Sequence, residues 1–435
     1  MRKSFWKKYY YGYLQSFVDF SIPIGAKILR IYQDEVIKNK GVAFPNNTYE
    51  YVTASDILGY IDDVQSFLLE ASKYLTDDGR IVITQYNALW EPVLRLASRL
   101  KLRTTVPEQN WLSVLDLKNF AYLAGFEVVK SGTKMICPVY IPLVSFLLNR
   151  YLANVWPFNH LGLFHYMVAR KPEPKASAIK AGNTKNKGPS ISIIVPARNE
   201  AGTIEKIATE LPELGSFTEI IFIEGNSTDN TYEEIQRVVN SKQGSDNGVV
   251  TSGKIFKCAK QNGRGKGDAV RKGFEMATGD ILAIYDADMT VPANEMEKFY
   301  NAIVENKGDF INGSRLVYPM QKESMRVLNF FGNKFFSLAF SWILGQPLKD
   351  TLCGTKVLWR KDYEKVKKGR AFFGDFDPFG DFDLLFGAAK LNLKIIDLPI
   401  HYGERVYGAT NISRWKHGWL LLKMTVFAAR KMKFG

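Results

Sequence analysis

The sequence predicts an α/β protein of two domains, and two features of the chain carry this prediction. After residue 190, apolar runs alternate with polar turns and amphipathic helices, as in "ISIIVPARNEAGTIEKIATELPEL" and "EIIFIEGNSTDNTYEEIQRVV". Such alternation is typical of mostly parallel strands joined by helical crossovers. Before it, "KPEPKASAIKAGNTKNKGPS" has too few large apolar side chains to build a core. The predicted divisions are a first domain at 1–172, a linker at 173–189, a second domain at 190–412 and a C-terminal helix at 413–435.

Composition and charge narrow the classes of function. The chain has 435 residues, a net charge of +14 and three cysteines, which lie far apart and show no metal-ligand spacing. The charge favours anionic partners, namely nucleotide or polyprenyl phosphates, acidic lipid headgroups or nucleic acid. Because no helix-turn-helix, zinc or RNA-binding signature is present, a nucleic acid partner is not predicted. No oligomeric state is predicted.

The termini and the apolar runs bear on location. The basic start "MRKSFWKKYYYGY" has no signal-peptide pattern, which favours a reducing compartment. The longest apolar runs, "YIPLVSFLLNRYLANVW" and "FFSLAFSWILG", are interrupted by Arg150 or too short to span a bilayer. We therefore predict a cytoplasmic protein that is soluble or bound at the membrane surface.

Polar side chains follow three apolar runs of the second domain. Asn199 and Glu200 follow the first run, Asp229 the second, and Asp286 with Asp288 the third. In open α/β sheets, ligands bind beyond the carboxyl ends of the strands. The sequence therefore predicts that these residues meet in one crevice.

The stretch "IYDADMT" places two carboxylates around one alanine. In an extended segment Asp286 and Asp288 would lie on one face, where they repel each other unless a cation lies between them. Hard oxygen ligands suit Mg²⁺ or Mn²⁺. The alternative is that these aspartates only cap the turn or helix that follows.

These motifs resemble those of the family 2 inverting glycosyltransferases, over about residues 190–425. The pieces that carry the resemblance are "VPARNE", "EGNSTDNT", "GRGKGDAVRKG", "DADMT", "NGSR" and "GERVYGATNIS". Within that family the pattern is most similar to polyprenyl-phosphate sugar transferases of the dolichyl-phosphate mannose synthase type. The resemblance implies a GT-A, Rossmann-like fold, a nucleotide-diphospho-sugar donor, and an acceptor that is a polyprenyl phosphate or a glycan.

The resemblance also implies roles for individual residues. Asp286 and Asp288 would hold the metal, with Asp288 as the direct ligand and Asp286 facing the ribose or a metal-bound water. Arg315 would lie near a donor or acceptor phosphate, where a planar guanidinium suits the task. The full donor-binding set is Pro196, Arg198, Glu200, Glu224, Asp229, Lys266, Asp286 and Ala287.

Two further motifs bear on the acceptor, and they do not decide between a phosphate and a sugar hydroxyl. An ionised acceptor phosphate needs no general base, whereas a sugar hydroxyl does. Asp381 in "FGDFDLLFGAAK" is the candidate base, and the alternative is an aspartate favoured at a helix N-terminus by the helix dipole. In "ERVYGATNIS", Arg405 and Gly408 match a family element that usually ends in Ser-Lys, where this chain has Thr410 and Asn411.

Two stretches of the second half are candidates for lipid contact. The tail "SRWKHGWLLLKMTVFAARKMKFG" interleaves tryptophans with basic residues and has no acid, which suits an anionic membrane surface. The alternative is a helix packed on its own domain. The stretch "MRVLNFFGNKFFSLAFSWILG" is the second candidate, and its aromatics could equally be ordinary core.

The first domain resembles the later half of a class I S-adenosylmethionine-dependent methyltransferase domain. "EYVTASD", a helix near 62–75, the turn "TDDGR" and the strand "RIVITQ" carry the resemblance. That fold needs a glycine turn after its first strand, but no glycine follows "AKILRIYQDEV" until Gly41, and about twenty residues separate it from the next strand. We therefore expect a truncated domain that does not bind S-adenosylmethionine. The alternatives are a bifunctional methyltransferase and glycosyltransferase, or a scaffold without catalysis.

Overall fold

The computed structural model contains two compact units. The first comprises Met1–Glu173 with Lys390–Asn392 and Ala429–Gly435, and the second comprises Pro174–Ala389 with Leu393–Ala428. Most of the predicted linker lies outside the described residues. The structure describes residues 2–39, 42, 44–100, 109–172, 188–243, 253–318, 327–372, 380–403, 405, 407 and 414–434, but not the side chains of 2–7, 39, 243, 327–331, 381 and 414–417.

The first unit is built on a five-stranded sheet with helices on both faces. Its strands are β1 (Ile28–Tyr32), β2 (Tyr49–Ser55), β3 (Leu75–Tyr86), β4 (Glu127–Lys134) and β5 (Phe164–Arg170). Its helices are α1 (Arg2–Ser21), α2 (Gln33–Asn39), α3 (Val64–Lys73), α4 (Glu91–Arg99), α5 (Val114–Leu123) and α6 (Val144–Arg150).

The strand order of this sheet is β1-β2-β3-β5-β4, and β5 runs antiparallel to both of its neighbours. β1 pairs directly with β2, from Ile28 opposite Tyr51 to Tyr32 opposite Ser55. The predicted turn "TDDGR" lies within β3, where the register with β2 jumps between Leu75 and Arg80. As expected, only a short connection joins the first two strands. These strands are direct neighbours in the sheet, with no other strand between them.

Two cores cover the two faces of the first sheet. On one face, Phe67 and Leu68 of α3 and Leu117 of α5 pack with Ile83 and Met167 of the sheet. On the other, Tyr10 and Leu14 of α1 pack with Tyr86 and Phe164. The alternation of apolar side chains along β3 and β5 therefore supplies both faces, as expected for an interior strand pair.

The second unit is built on a seven-stranded sheet. Its strands are β6 (Ile191–Ala197), β7 (Thr218–Glu224), β8 (Lys254–Lys260), β9 (Ile281–Ile284), β10 (Phe310–Ser314), β11 (Lys356–Trp359) and β12 (Ile395–Pro399). Its helices are α7 (Ile204–Glu210), α8 (Thr231–Gln243), α9 (Lys266–Met276), α10 (Glu295–Val304), α11 (Val327–Leu344), α12 (Arg360–Gly369), α13 (Asp381–Lys390) and α14 (Arg414–Met432).

The strand order of the second sheet is β12-β10-β11-β9-β6-β7-β8. The strands are parallel except for β11, which pairs antiparallel with β9 and β10. Ile204, Ile207 and Leu211 are buried on one side of this sheet, as their helical spacing predicts. The predicted α/β class with a mostly parallel second sheet is therefore confirmed.

The helices that the sequence associates with lipid have mixed environments. α14 buries Leu421, Met424 and Ala428 and exposes Trp419 and Val426, so one face packs on protein while the other meets solvent. α11 exposes a stripe of Phe335, Leu338 and Trp342. Within the described residues, none of the helices combines the length and apolar character needed to cross a bilayer.

Candidate active site

The polar residues predicted to meet do so at the carboxyl ends of β9, β6 and β7, which are adjacent and parallel. Glu200 follows β6, Glu224 ends β7, and Asp286 and Asp288 follow β9. Parallel strands bring their carboxyl ends to one edge of a sheet, which is why residues distant in sequence converge here.

The extended backbone predicted for Asp286 to Asp288 is wrong. β9 ends at Ile284, and the chain then turns, with the Met289 amide donating to the Asp286 carbonyl (3.3 Å) and Met289 in the left-handed region (φ 53°). Oδ1 of Asp288 accepts hydrogen bonds from the amide (3.2 Å) and hydroxyl (2.9 Å) of Thr290. Asp288 therefore caps this turn with one oxygen, which leaves Oδ2 to face the crevice.

Asp286 forms an ion pair with Lys266, the first residue of α9 (Nζ to Oδ1 2.6 Å). Burial raises the pKa of Asp286, but the Lys266 ammonium outweighs it, and the pKa lies below the ordinary aspartate value. Gly354 lies against both charged groups, so a Cβ at this position would overlap them. Asp286 is therefore ionised at neutral pH and held in place from two sides.

Arg405 links two of the strand ends. Its guanidinium donates to Oε1 of Glu200 and, at 3.1 Å, to Oδ2 of Asp288. Burial raises the pKa of Glu200 to about 7, with Asp288 adding to the rise and Arg405 opposing it. Oε2 of Glu200 is buried without a hydrogen-bond partner among the described groups. Such an oxygen can accept a hydrogen bond from a hydroxyl or N–H of a ligand.

The loops after β6 and β7 are joined by hydrogen bonds. The Asn199 carboxamide oxygen accepts from the Thr228 amide (2.8 Å), and Asn199 has φ 56°, so it shapes the loop and does not cap a helix. Glu224 accepts from the Ser227 amide (2.5 Å). Asp229 accepts from the Thr231 amide (3.1 Å), and the Thr231 hydroxyl accepts from the Glu200 amide (2.9 Å). These bonds order the loops around the crevice.

The other predicted donor-binding residues differ in exposure. Arg198 is exposed, Pro196 is half-buried, and Ala287 is buried in the core between the two aspartates. Arg198 follows β6 directly, so its side chain is the most accessible of this group.

Arg315 is already engaged within the protein. Its Nε and Nη2 donate to the buried Asp350 at 2.7 and 2.9 Å, and its amide donates to the same carboxylate at 3.0 Å. Burial would raise the pKa of Asp350, but Arg315 holds it below its usual value. The Tyr402 ring lies 5.2 Å from the guanidinium. The predicted phosphate contact would therefore use the N–H groups of the Arg315 guanidinium that do not donate to Asp350.

Several predicted residues lie outside the described parts of the structure. α13 begins at Asp381, but its side chain is not described, and Gly408, Thr410 and Asn411 are not described either. Sequence reasoning did not find Asp350 or Gly354. The stretch "KDTLCGTK" that contains them precedes the antiparallel β11 and so lacks the strand–turn–helix pattern that identified the other loops.

The carboxylates suit a divalent cation only in part. Within the described residues, no group of three or more His, Cys, Asp or Glu side chains is arranged to hold a metal. Two aspartates are nonetheless the ligand number that Mg²⁺ takes from protein when substrate phosphates and water complete its shell. Lys266 and Arg405 pair with these carboxylates in the structure, so metal binding would require both cations to shift.

The comparison with known families agrees with this architecture. Residues 192–366 match the family Glycosyl transferase family 2, and residues 15–131 match a methyltransferase domain. The second unit therefore contains a glycosyltransferase family 2 domain, and the first contains a methyltransferase-like domain. The resemblances stated from the motifs are confirmed.

Individual relatives share this second region. Glycosyltransferase AglJ of Haloferax volcanii is 27% identical over 53% of this chain and 69% of its own length. The dolichol-phosphate mannosyltransferase of Pyrococcus furiosus is 30% identical over 51% of this chain and 59% of its own length. That of Saccharomyces cerevisiae is 32% identical over 26% of this chain and 40% of its own length. The match thus spans only part of each protein.

Among solved structures, glucosyl-3-phosphoglycerate synthase from Mycobacterium tuberculosis in complex with Mn²⁺, UDP and glucosyl-3-phosphoglycerate aligns with 60% of this chain and 83% of its own. The identity is 18% and the TM-score 0.40.

Proposed function

We propose that the protein transfers a sugar from a nucleotide-diphospho-sugar to a polyprenyl phosphate at the membrane surface. The observation that carries this proposal is the convergence of Glu200, Asp288 and Arg405 with the Asp286–Lys266 pair at adjacent strand ends. A crevice with three carboxyl groups and two cations paired with them suits a ligand that brings both phosphate charge and hydroxyl groups.

The donor would bind with its diphosphate at the aspartates and its nucleoside toward the loops after β6 and β7. Asp288 and Asp286 would hold Mg²⁺ or Mn²⁺, which would supply neutralisation of the charge that grows on the leaving diphosphate. Lys266 and Arg405 lie beside those carboxylates and would orient the diphosphate oxygens. Glu200, with its raised pKa and its free Oε2, would contact the ribose.

A phosphate acceptor is favoured over a glycan by two considerations. Two of the relatives named above act, by their names, on dolichol phosphate. An ionised phosphate also needs no proton removed before it attacks the anomeric carbon, whereas a glycan hydroxyl would need a base such as Asp381. Arg315, held by Asp350, is then a positioning group for the acceptor phosphate, and the exposed stripe on α11 offers apolar contact for a lipid chain.

The first test is donor binding. A screen of nucleotide sugars should find one or more that raise the melting temperature when Mg²⁺ or Mn²⁺ is present, because a ligand of the native state stabilises it. The stabilising donor should then be turned over with a polyprenyl phosphate. If no nucleotide sugar stabilises the protein with either metal, the proposed donor class is wrong.

The second test is Asp288→Asn. The amide keeps a turn-capping oxygen but loses the charge that pairs with Arg405 and would hold the metal, so we expect turnover to fall by about a hundredfold or more. The melting temperature should change little. Asp63→Asn is the control, since Asp63 also caps through a backbone amide, that of Ser66 (2.9 Å), but lies in the first unit. Full turnover of Asp288→Asn at saturating donor and metal would exclude this role.

A further inference from the structure

The first unit has an apolar surface that its own core does not cover. It is formed by two segments, 88–100 around α4 and 140–161 around α6, and we call it the apolar face. The two segments are joined by hydrogen bonds: the Trp90 indole donates to the Leu161 carbonyl (2.9 Å), and the Asn87 carboxamide donates to the Gly162 carbonyl (2.8 Å). They therefore form one side of the unit.

The α4 segment has two apolar sides, one packed on protein and one exposed. Trp90 and Leu94 pack on the core beside Tyr86. Leu89, Val93, Leu96 and Leu100 follow the helical spacing of three and four residues, and all are exposed. This helix therefore has one apolar side against protein and another without cover among the described residues.

The α6 segment has the opposite polarity from an ordinary surface helix. It buries Ser145 and Asn149, and the Asn149 carboxamide bonds both the amide and the carbonyl of Cys137 at 2.8 Å. Val144, Phe146 and Leu147 instead point outward. A helix in water normally buries its apolar side, so this arrangement indicates that an apolar medium meets the outer side.

The charge of these segments identifies the medium. Residues 88–100 and 140–161 contain three exposed arginines, Arg95, Arg99 and Arg150, against a single acidic residue, Glu91, which is ion-paired with Arg95 (2.6 Å). Trp156 protrudes with 75% of its surface exposed, and tyrosines and phenylalanines accompany it. Protruding aromatics with an excess of basic over acidic residues suit an anionic lipid interface, where rings lie at headgroup depth and arginines meet phosphates.

We propose that the apolar face is a docking surface for an anionic lipid bilayer. The side chains around α4 and α6 would insert among the acyl chains, and the arginines would contact headgroup phosphates. This surface lies on the methyltransferase-like unit and is independent of the transferase reaction, so its failure would leave the proposed catalytic role untouched.

The test is binding of the full-length protein to vesicles. Phosphatidylcholine vesicles with and without phosphatidylglycerol are sedimented with wild type and with the double variant Leu96→Glu/Leu147→Glu, whose sites are 56% and 54% exposed. The matched control is Leu115→Glu/Tyr122→Glu on α5, whose sites are 76% and 78% exposed but lie outside the apolar face. We expect wild type and control to bind the anionic vesicles, and the Leu96/Leu147 variant to bind at least about tenfold more weakly.

Several outcomes would overturn the proposal. They are a wild type that sediments with neither vesicle, equal weakening in both double variants, or a wild type that self-associates without lipid and loses this association in the Leu96/Leu147 variant. If the glutamate variant does not fold, Leu96→Gln/Leu147→Gln replaces it. Quenching of Trp156 by brominated lipid, measured as the difference between wild type and Trp156→Phe, gives a second readout that needs neither double variant.

Discussion

At the scale of single residues, the charged side chains of the candidate site form ion pairs with one another. Lys266 and Arg405 each neutralise one aspartate, and Asp350 holds Arg315, so the crevice contains balanced pairs. A ligand with phosphate groups would compete with the carboxylates for these cations, and a carboxylate that loses its cation would need a new partner, such as a metal ion. Substitutions that displace the partly exposed pairs of Lys266 and Arg405 should therefore affect ligand binding.

Gly354→Ala tests this view of the site. The new methyl group would overlap Asp286 Oδ2 and Lys266 Nζ, so the pair must move apart, and overpacking of this kind costs about 1–3 kcal/mol. We expect the KM for the donor to rise by about tenfold. Gly369→Ala is the control, since a methyl group there meets open space. An unchanged KM in Gly354→Ala would show that the position of the Lys266–Asp286 pair does not matter for donor binding.

At the scale of elements, strand β5 of the first sheet contains a buried titratable side chain, His165. His165 lies opposite Gln85 of β3, and burial lowers its pKa to about 4. Its Nδ1 has no hydrogen-bond partner among the described residues. The neutral imidazole is therefore the form that this strand accommodates.

The pH dependence of stability follows from this strand. In the unfolded chain histidine has a pKa of about 6.5, so below that pH the unfolded state binds a proton at position 165. Native His165, with its lowered pKa, does not bind this proton until the pH is lower. The contribution is complete above about pH 6.5 and is lost as the pH falls toward 4, by up to about 3 kcal/mol. We expect His165→Gln to lose stability less steeply than wild type between pH 7 and 5 in urea titrations.

The control for this measurement is the exposed His160. The stability of His160→Gln is measured over the same pH range, since this substitution removes an exposed histidine in place of a buried one. Identical slopes for wild type and His165→Gln would show that folding does not lower the pKa of His165. A lower stability of His165→Gln at pH 7 does not bear on the prediction, because only the slope does.

At the scale of the whole molecule, a glycosyltransferase domain is joined to a methyltransferase-like domain with a small sheet. β1 pairs directly with β2, and the described part of the connection between them contains only α2. A strand and helix that would flank a bound nucleoside at this edge have no residues to form them, since β2 begins at Tyr49. We therefore expect that the first unit does not bind the methyl donor.

We predict that the full-length protein does not bind S-adenosylmethionine at micromolar concentrations. Each lost hydrogen bond is worth about 0.5–1.5 kcal/mol net, and micromolar affinity needs about 8 kcal/mol in all. Losing four or five contacts therefore moves the dissociation constant toward the millimolar range. Isothermal titration calorimetry measures it, with the nucleotide sugar that stabilises the protein as the positive control. A low micromolar constant would make the protein bifunctional.

The features that the sequence predicts are those that depend on residues close together in the chain. The parallel strands β6, β7 and β9 and the polar residues after them follow from apolar runs and turn residues that are neighbours in sequence. The buried face of α7 follows from the spacing of Ile204 and Ile207 for the same reason. The motifs placed Asp288 and Glu200 in one crevice because parallel strands share their carboxyl edge.

Other features depend on contacts between distant residues. Arg405 meets Glu200 and Asp288 across 205 and 117 positions of sequence, and no local propensity specifies which cation reaches which carboxylate. The turn after Ile284 and the close approach of Gly354 depend on neighbouring loops in the same way. The outward Leu147 of α6 is the clearest case, because burial is a property of the packed chain: the same apolar run would be read as core until folding shows which side meets protein.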